Sequence, residues 1–127
     1  FITKYGLTAF KMNPHFPVNT LLMMRGAVVA EDEGRLCDYV DAVLRAMWED
    51  GLKMDDPEVV ATFLSANGFG GPALLARTQE DGIKAKLVAN TQSAAERGVF
   101  GIPSFFVGDE LFFGKDRLDQ VEEALAG

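Results

Sequence analysis

The sequence predicts an α/β chain dominated by helices, and three observations predict it. Apolar residues recur at helical spacing through most of residues 18–97. A β-rich aromatic run, Ile102-Pro103-Ser104-Phe105-Phe106-Val107, then replaces that spacing. The pair Gly108-Asp109 separates it from a second run, Glu110-Leu111-Phe112-Phe113, as a two-residue hairpin turn does. The order is an extended piece, five helices, a hairpin and a last helix.

Residues 1–12 read as the exposed end of a helix and then an extended run, Leu7-Thr8-Ala9-Phe10-Lys11-Met12. Asn13-Pro14-His15-Phe16-Pro17 is a turn signal, because each proline restricts the residue before it and Asn-Pro initiates turns. Pro17 suits the first turn of a helix predicted over 18–30. A second helix over 33–49 places Leu36, Val40, Val43, Leu44, Met47 and Trp48 on one apolar face, and Gly51 caps its end. Asp56-Pro57 supplies an N-cap and a first-turn proline for a helix over 57–66, which stops at Asn67-Gly68. Gly70-Gly71-Pro72 opens a short helix reaching Arg77. A longer helix over 80–97 turns Ile83, Leu87, Val88, Thr91 and Ala94 or Ala95 inward, and Gly98 closes it. After the hairpin, a helix from Asp116 turns Leu118, Val121 and Leu125 inward. There is no repeat, low-complexity tract or linker.

The hairpin is too apolar to stand alone. Phe105, Phe106, Leu111, Phe112 and Phe113 need further strands beside them, and strands are scarce in this chain. The chain also begins at Phe1. The expectation is a longer protein with an additional N-terminal βαβ segment, or a sheet completed by a partner.

With 127 residues the chain fits one domain and can bury a sizeable core. A hydrophobic fraction of 48% and a charged fraction of 24% are those of a globular protein, and no apolar run approaches a membrane span. Net charge is −7 with no Lys/Arg cluster, which argues against nucleic acid as a partner. Cys37 is the only cysteine, so no internal disulfide is possible; the lean is to the cytoplasm, with Cys37 as a small core residue. His15 is the only histidine and reads as a loop residue, with no Cys/His cluster to make a metal site. Met23-Met24 reads as helix packing. Glu31-Asp32-Glu33 reads as a solvated helix boundary whose acids suit the N-terminus of the following helix.

Two positions carry chemistry. Pro103 heads an apolar strand without an N–H to give to a ladder. It either simply starts the strand or forms a cis corner, which turns the preceding residue's N–H and C=O outward to pair with a bound peptide backbone. Asp116 stands where a helix begins. It reads as an N-cap, and the same place suits a ligand that carries both a carboxylate and an ammonium.

The stretch Glu96-Arg97-Gly98-Val99-Phe100-Gly101-Ile102-Pro103, continued through Gly114-Lys115-Asp116-Arg117-Leu118, resembles the C-terminal half of 2-hydroxychromene-2-carboxylate isomerases and kappa-class glutathione transferases. Asn13-Pro14-His15-Phe16-Pro17-Val18-Asn19 resembles the loop before that family's helical insert. Trp48-Glu49-Asp50-Gly51-Leu52 resembles its Trp-x-x-Gly helix end, and Asn90-Thr91 falls in its long helix. The resemblance implies a thioredoxin-like fold of the DsbA/kappa type with a helical insertion. It divides the chain into an extended segment and loop (1–16), the insertion (17–78) and the C-terminal thioredoxin half (79–127).

The resemblance further implies glutathione as cofactor. Ile102 and Pro103 would pair with its cysteinyl backbone, and Gly114, Lys115 and Asp116 would hold its γ-glutamyl end. Kappa enzymes often have Ser where Lys115 stands. Asn13 and Pro14 would face a small aromatic substrate. The family's catalytic Ser, or Cys-x-x-Cys, lies on a first βα unit that precedes the matching region, so no catalytic residue is expected within this chain. The implied activity is a glutathione-dependent isomerisation of unsaturated aromatic pyruvates by a homodimer. The alternatives are a DsbA-like thiol–disulfide oxidoreductase and a non-catalytic module that presents its sheet edge to a partner.

Overall fold

Five helices precede one hairpin in the computed structural model, which describes all residues from Phe1 to Gly127. They are α1 (Leu21–Asp32), α2 (Leu36–Trp48), α3 (Pro57–Ala66), α4 (Gly71–Arg77) and α5 (Asp81–Glu96). Strands β1 (Ser104–Val107) and β2 (Glu110–Phe113) follow, then a 3-10 turn (Lys115–Arg117) and α6 (Leu118–Ala126). The chain divides into two units, Phe1–Leu87 and Val88–Gly127, and the division falls inside α5.

In the first unit, residues 2–6 form turns, with Tyr5 N–H on Phe1 O (3.1 Å) and Leu7 N–H on Ile2 O (3.0 Å). The run 7–12, expected to be extended, enters no ladder of the two-stranded sheet; Lys11 N–H donates to Trp48 O at 2.7 Å. Helix α1 starts at Leu21 rather than near 18, because Asn19 Oδ1 takes the Leu21 N–H at 2.9 Å and so begins the helix itself. The Phe16–Pro17 bond is cis, and Pro17 lies outside the helix.

The acidic run corrects a second expectation. Glu31 and Asp32 close α1 instead of opening α2. Carboxylates at a helix C-terminus oppose its dipole, and cations from other helices offset this. Lys86 reaches Asp32 at 2.6 Å, while Arg77 reaches Asp32 at 3.4 Å and Glu33 at 3.3 Å. The hydrogen bond from Lys86 holds the Asp32 carboxyl below its ordinary range, and the same bond raises Lys86. Gly34, at φ +71°, then reverses the chain into α2.

The buried face of α2 consists of Tyr39, Ala42, Ala46 and Met47, while Val40 and Leu44 are exposed. The face is rotated from the purely apolar one because a tyrosine heads it. The Tyr39 hydroxyl donates to Met23 O at 2.8 Å, and burial pushes its phenol up. The ring end sits against Gly26, where any Cβ would collide with the hydroxyl, so glycine lets α1 accept Tyr39. Cys37 is exposed on the opposite side of α2 and is not a core residue. Of the methionine pair, Met23 is buried and Met24 exposed.

Asp56 caps α3 as its position predicts, accepting from Glu58 N–H at 3.0 Å with Pro57 in the first turn. Helices α3 and α4 meet at Gly71, where a Cβ would strike the Ala61 carbonyl oxygen. Val29, Met54, Val60, Leu64 and Leu74 fill the core with at most 2% exposure. Ile83 joins it from α5 and Leu87 packs partly against it. Val88, expected inward, is 62% exposed, because only the first two turns of α5 meet this core.

In the second unit, β1 and β2 pair antiparallel with Ser104 opposite Phe113 and Val107 opposite Glu110. Gly108-Asp109 is the two-residue turn that this register requires. Gly98, at φ +99°, ends α5, and the Arg97 guanidinium lies 3.5 Å over the Phe106 ring. Helix α6 packs on β1 through half-buried Leu118 and Val121. Leu125 is 71% exposed, since four-residue strands give cover only to the first turns of α6. No helix is long and apolar enough to cross a membrane.

Candidate functional site

The site grows from the ends of the hairpin. The Ile102–Pro103 bond is cis, and the chain joins the ladder only at Ser104. Ile102 therefore lies beyond the last strand pair, with 89% of its surface exposed. Two hydrogen bonds hold this loop. Gly114 N–H donates to Pro103 O at 2.9 Å, and Ser104 Oγ donates to Gly101 O at 2.6 Å.

The first of these bonds brings the two sequence-predicted segments together. It fixes the exit of β2 to the entry of β1, so that Gly114-Lys115-Asp116 turns out of the sheet beside Ile102 and Pro103. Gly114 makes the turn at φ +98° and ψ 150°, a conformation that side chains resist. Lys115 Nζ and Asp116 Oδ1 stand 3.1 Å apart, with their side chains 52% and 83% exposed.

Asp116 is not the helix cap that its position suggested. Helix α6 begins at Leu118 after Arg117, without a side-chain cap, because a 3-10 turn occupies 115–117. The Asp116 carboxylate instead pairs with its neighbour's ammonium and faces solvent. Adjacent opposite charges in water cost little to re-pair, so a zwitterionic ligand can replace each with its own partner.

Asn13 and Pro14 lie in the other unit and serve the turn. Asn13 is 2% exposed, and its amide donates to Met47 O at 3.0 Å and to Leu52 O at 2.8 Å. Its Oδ1 accepts from His15 N–H at 2.7 Å. All the amide's hydrogens are thus engaged within the protein, which supports the turn reading. Pro14 packs against Gly51, where a Cβ would stand 3.2 Å from its Cδ. His15 is exposed in the loop.

Sequence reading gave no role to Phe100 and placed Phe113 only in the return strand. Their rings stand 4.5 Å apart beside the proline loop, and Phe113 covers Gly101. The signal was the apolar residue before Gly101, which no helix or strand pattern uses.

In chain order a long helix, a cis-proline corner, a strand pair and a last helix follow one another. The family model of the DSBA-like thioredoxin domain matches residues 3–126, and the chain belongs to that family. The 2-hydroxychromene-2-carboxylate isomerase of Pseudomonas sp. (strain C18) is 35% identical over 89 residues, covering 70% of this chain and 42% of that protein. The isomerase of the same name from Pseudomonas putida is 30% identical over 112 residues, covering 87% of this chain and 55% of that protein. A solved structure of selenomethionine 2-hydroxychromene-2-carboxylate isomerase superposes with a TM-score of 0.83 at 28% identity, over 98% of this chain and 60% of that one. The DsbA-like fold expected from the motifs is therefore the observed one. The chain spans about half the length of the curated relatives it matches.

Proposed function

We propose that this chain carries the glutathione-binding half of a glutathione-dependent isomerase of the 2-hydroxychromene-2-carboxylate type, acting on unsaturated aromatic pyruvates. The observation that carries the reading is the Gly114–Pro103 hydrogen bond, which sets the exposed Ile102–Pro103 loop beside an exposed pair of opposite charges. Glutathione has the complementary parts in the same order. Its cysteinyl peptide is a partner for the backbone of Ile102, and its γ-glutamyl end has an ammonium for Asp116 and a carboxylate for Lys115.

The cofactor would supply a thiolate that adds to the unsaturated side chain and leaves again after bond rotation. The contribution of this chain is to bind and orient: the proline loop holds the peptide, and the turn at 115–116 fixes its far end. The residue that stabilises the thiolate would lie outside these residues.

The family match also favours a second reading, a DsbA-like thiol–disulfide oxidoreductase. The names of the relatives favour the isomerase. A Cys-x-x-Cys upstream in the gene would decide for the oxidoreductase.

Calorimetric titration of glutathione into this chain tests the half-site. Asp116→Ala should weaken binding about tenfold, the loss of one charge-assisted hydrogen bond, without lowering the melting temperature. A wild-type chain that binds no glutathione, or a variant that binds it equally well, overturns the assignment of the γ-glutamyl end.

A further inference from the structure

Phe100 is a large apolar side chain with 77% of its surface exposed, beside Ile102 at 89% and Phe113 at 41%. A single exposed phenylalanine is ordinary, whereas apolar groups gathered at one end of a hairpin mark a binding surface. The grouping is built into the loop. The Phe113 ring lies so close over Gly101 that a Cβ there would come within 2.7 Å of it. The loop backbone thus passes under the ring and fixes it. Phe100 leans on Phe113 with ring centroids 4.5 Å apart and planes at 44°, and leaves most of its own surface open.

Place and surroundings identify the occupant. Phe100 and Ile102 lie in the loop before β1, outside the strand pair that further strands would flank. The patch runs straight into the charged turn Lys115-Asp116-Arg117. A small ligand with one planar apolar portion and a polar remainder fits such a boundary. Phenylalanine offers a π-face to a flat ring at low entropic cost. The patch is also continuous with the Ile102–Pro103 peptide.

We propose that Phe100 is the stacking platform for the planar aromatic portion of the substrate, positioned by Phe113 next to the cis-proline loop. The proposal rests on the isomerase reading and makes Phe100 a specificity-determining residue of that site. It also assigns Gly101 a purpose: any side chain there would push Phe113 aside and release Phe100.

Two probes test the platform independently of each other. The first compares S-benzylglutathione with S-methylglutathione by calorimetry. The wild-type chain should prefer the benzyl compound by about three- to tenfold, the range of one aromatic contact. Phe100→Ala should erase that preference and leave affinity for glutathione itself within about twofold, because glutathione has no ring to stack. Phe100→Leu, which keeps apolar bulk without the planar face, should behave as the alanine variant does and covers the case in which alanine disturbs the loop.

The second probe is 2-naphthoate, followed by amide chemical shifts. Its shifts should centre on Val99, Phe100, Gly101 and Phe113 and disappear in Phe100→Leu. Naphthoate at Phe100 in a chain that binds no glutathione leaves the platform standing and removes the glutathione reading. Equal binding of both aromatic probes by wild type and the Phe100 variants overturns the platform, whatever glutathione does.

Discussion

The Asn13 loop and the Pro103 loop are both proline turns that lead into regular structure, and both contain a cis peptide bond. They use their polar groups in opposite ways. Asn13 is buried and spends its amide on Met47 O, Leu52 O and His15 N–H, so the loop is closed on itself. The Pro103 loop is held by Gly114 N–H on Pro103 O and by Ser104 Oγ on Gly101 O, and leaves Ile102 and Asp116 exposed to solvent. The contrast teaches that a proline motif marks where the backbone turns. Whether that place binds a ligand depends on whether the protein itself has already satisfied the neighbouring polar groups.

If that contrast is right, the two loops should fail differently when cut. The largest effect belongs to Asn13→Ala, which leaves two carbonyl groups without their donor in a buried position. It should lower unfolding free energy by about 2–4 kcal/mol in a denaturant titration. Glutathione affinity of the molecules that remain folded should be unchanged. A loss of affinity without a loss of stability would return Asn13 to the ligand site.

Gly51→Ala should come next. Gly51 sits at φ +66° with Pro14 against it, so a methyl group meets both backbone strain and the proline ring. A cost of about 1–2 kcal/mol is expected, measured in the same way. The corresponding cut in the other loop, Asp116→Ala, should be silent in stability and visible only in binding, by the titration described above.

The smallest effect concerns neither loop and serves as a control for general surface charge. Asp32 has its pKa lowered in the folded state, chiefly by the Lys86 hydrogen bond. Its contribution to stability is therefore present above its unfolded value of 3.8 and is lost as pH falls through the lower folded value. Lys86, raised above 10.5, contributes below that pH and loses its contribution as pH rises through the folded value. Asp32→Asn should therefore flatten the acid limb of a melting-temperature profile slightly, and added salt should shrink the difference because the pair is exposed to solvent.

Much of this was legible in the residues. The Asp56-Pro57 start of α3, the Gly98 end of α5 and the Gly108-Asp109 turn follow from local chemistry: a cap, a positive φ and a hairpin register each need particular residues within a few positions. The candidate site was legible only through a family resemblance, carried by the short runs Gly-Ile-Pro and Gly-Lys-Asp. What the residues did not reveal was burial. Tyr39 heads the inner face of α2 because Met23 O lies within reach of its hydroxyl and Gly26 makes room for its ring. Cys37, apolar by type, ends outside because α2 turns that face away.

The sequence by itself determined the order of the helices and the hairpin with its turn, because those choices depend on neighbours a few residues apart. Only the tertiary structure decided that Gly114 meets Pro103, that Asn13 is sealed and that Phe100 is left open. Each of these depends on groups brought together across the fold, where the distance along the chain carries no information about the distance in space.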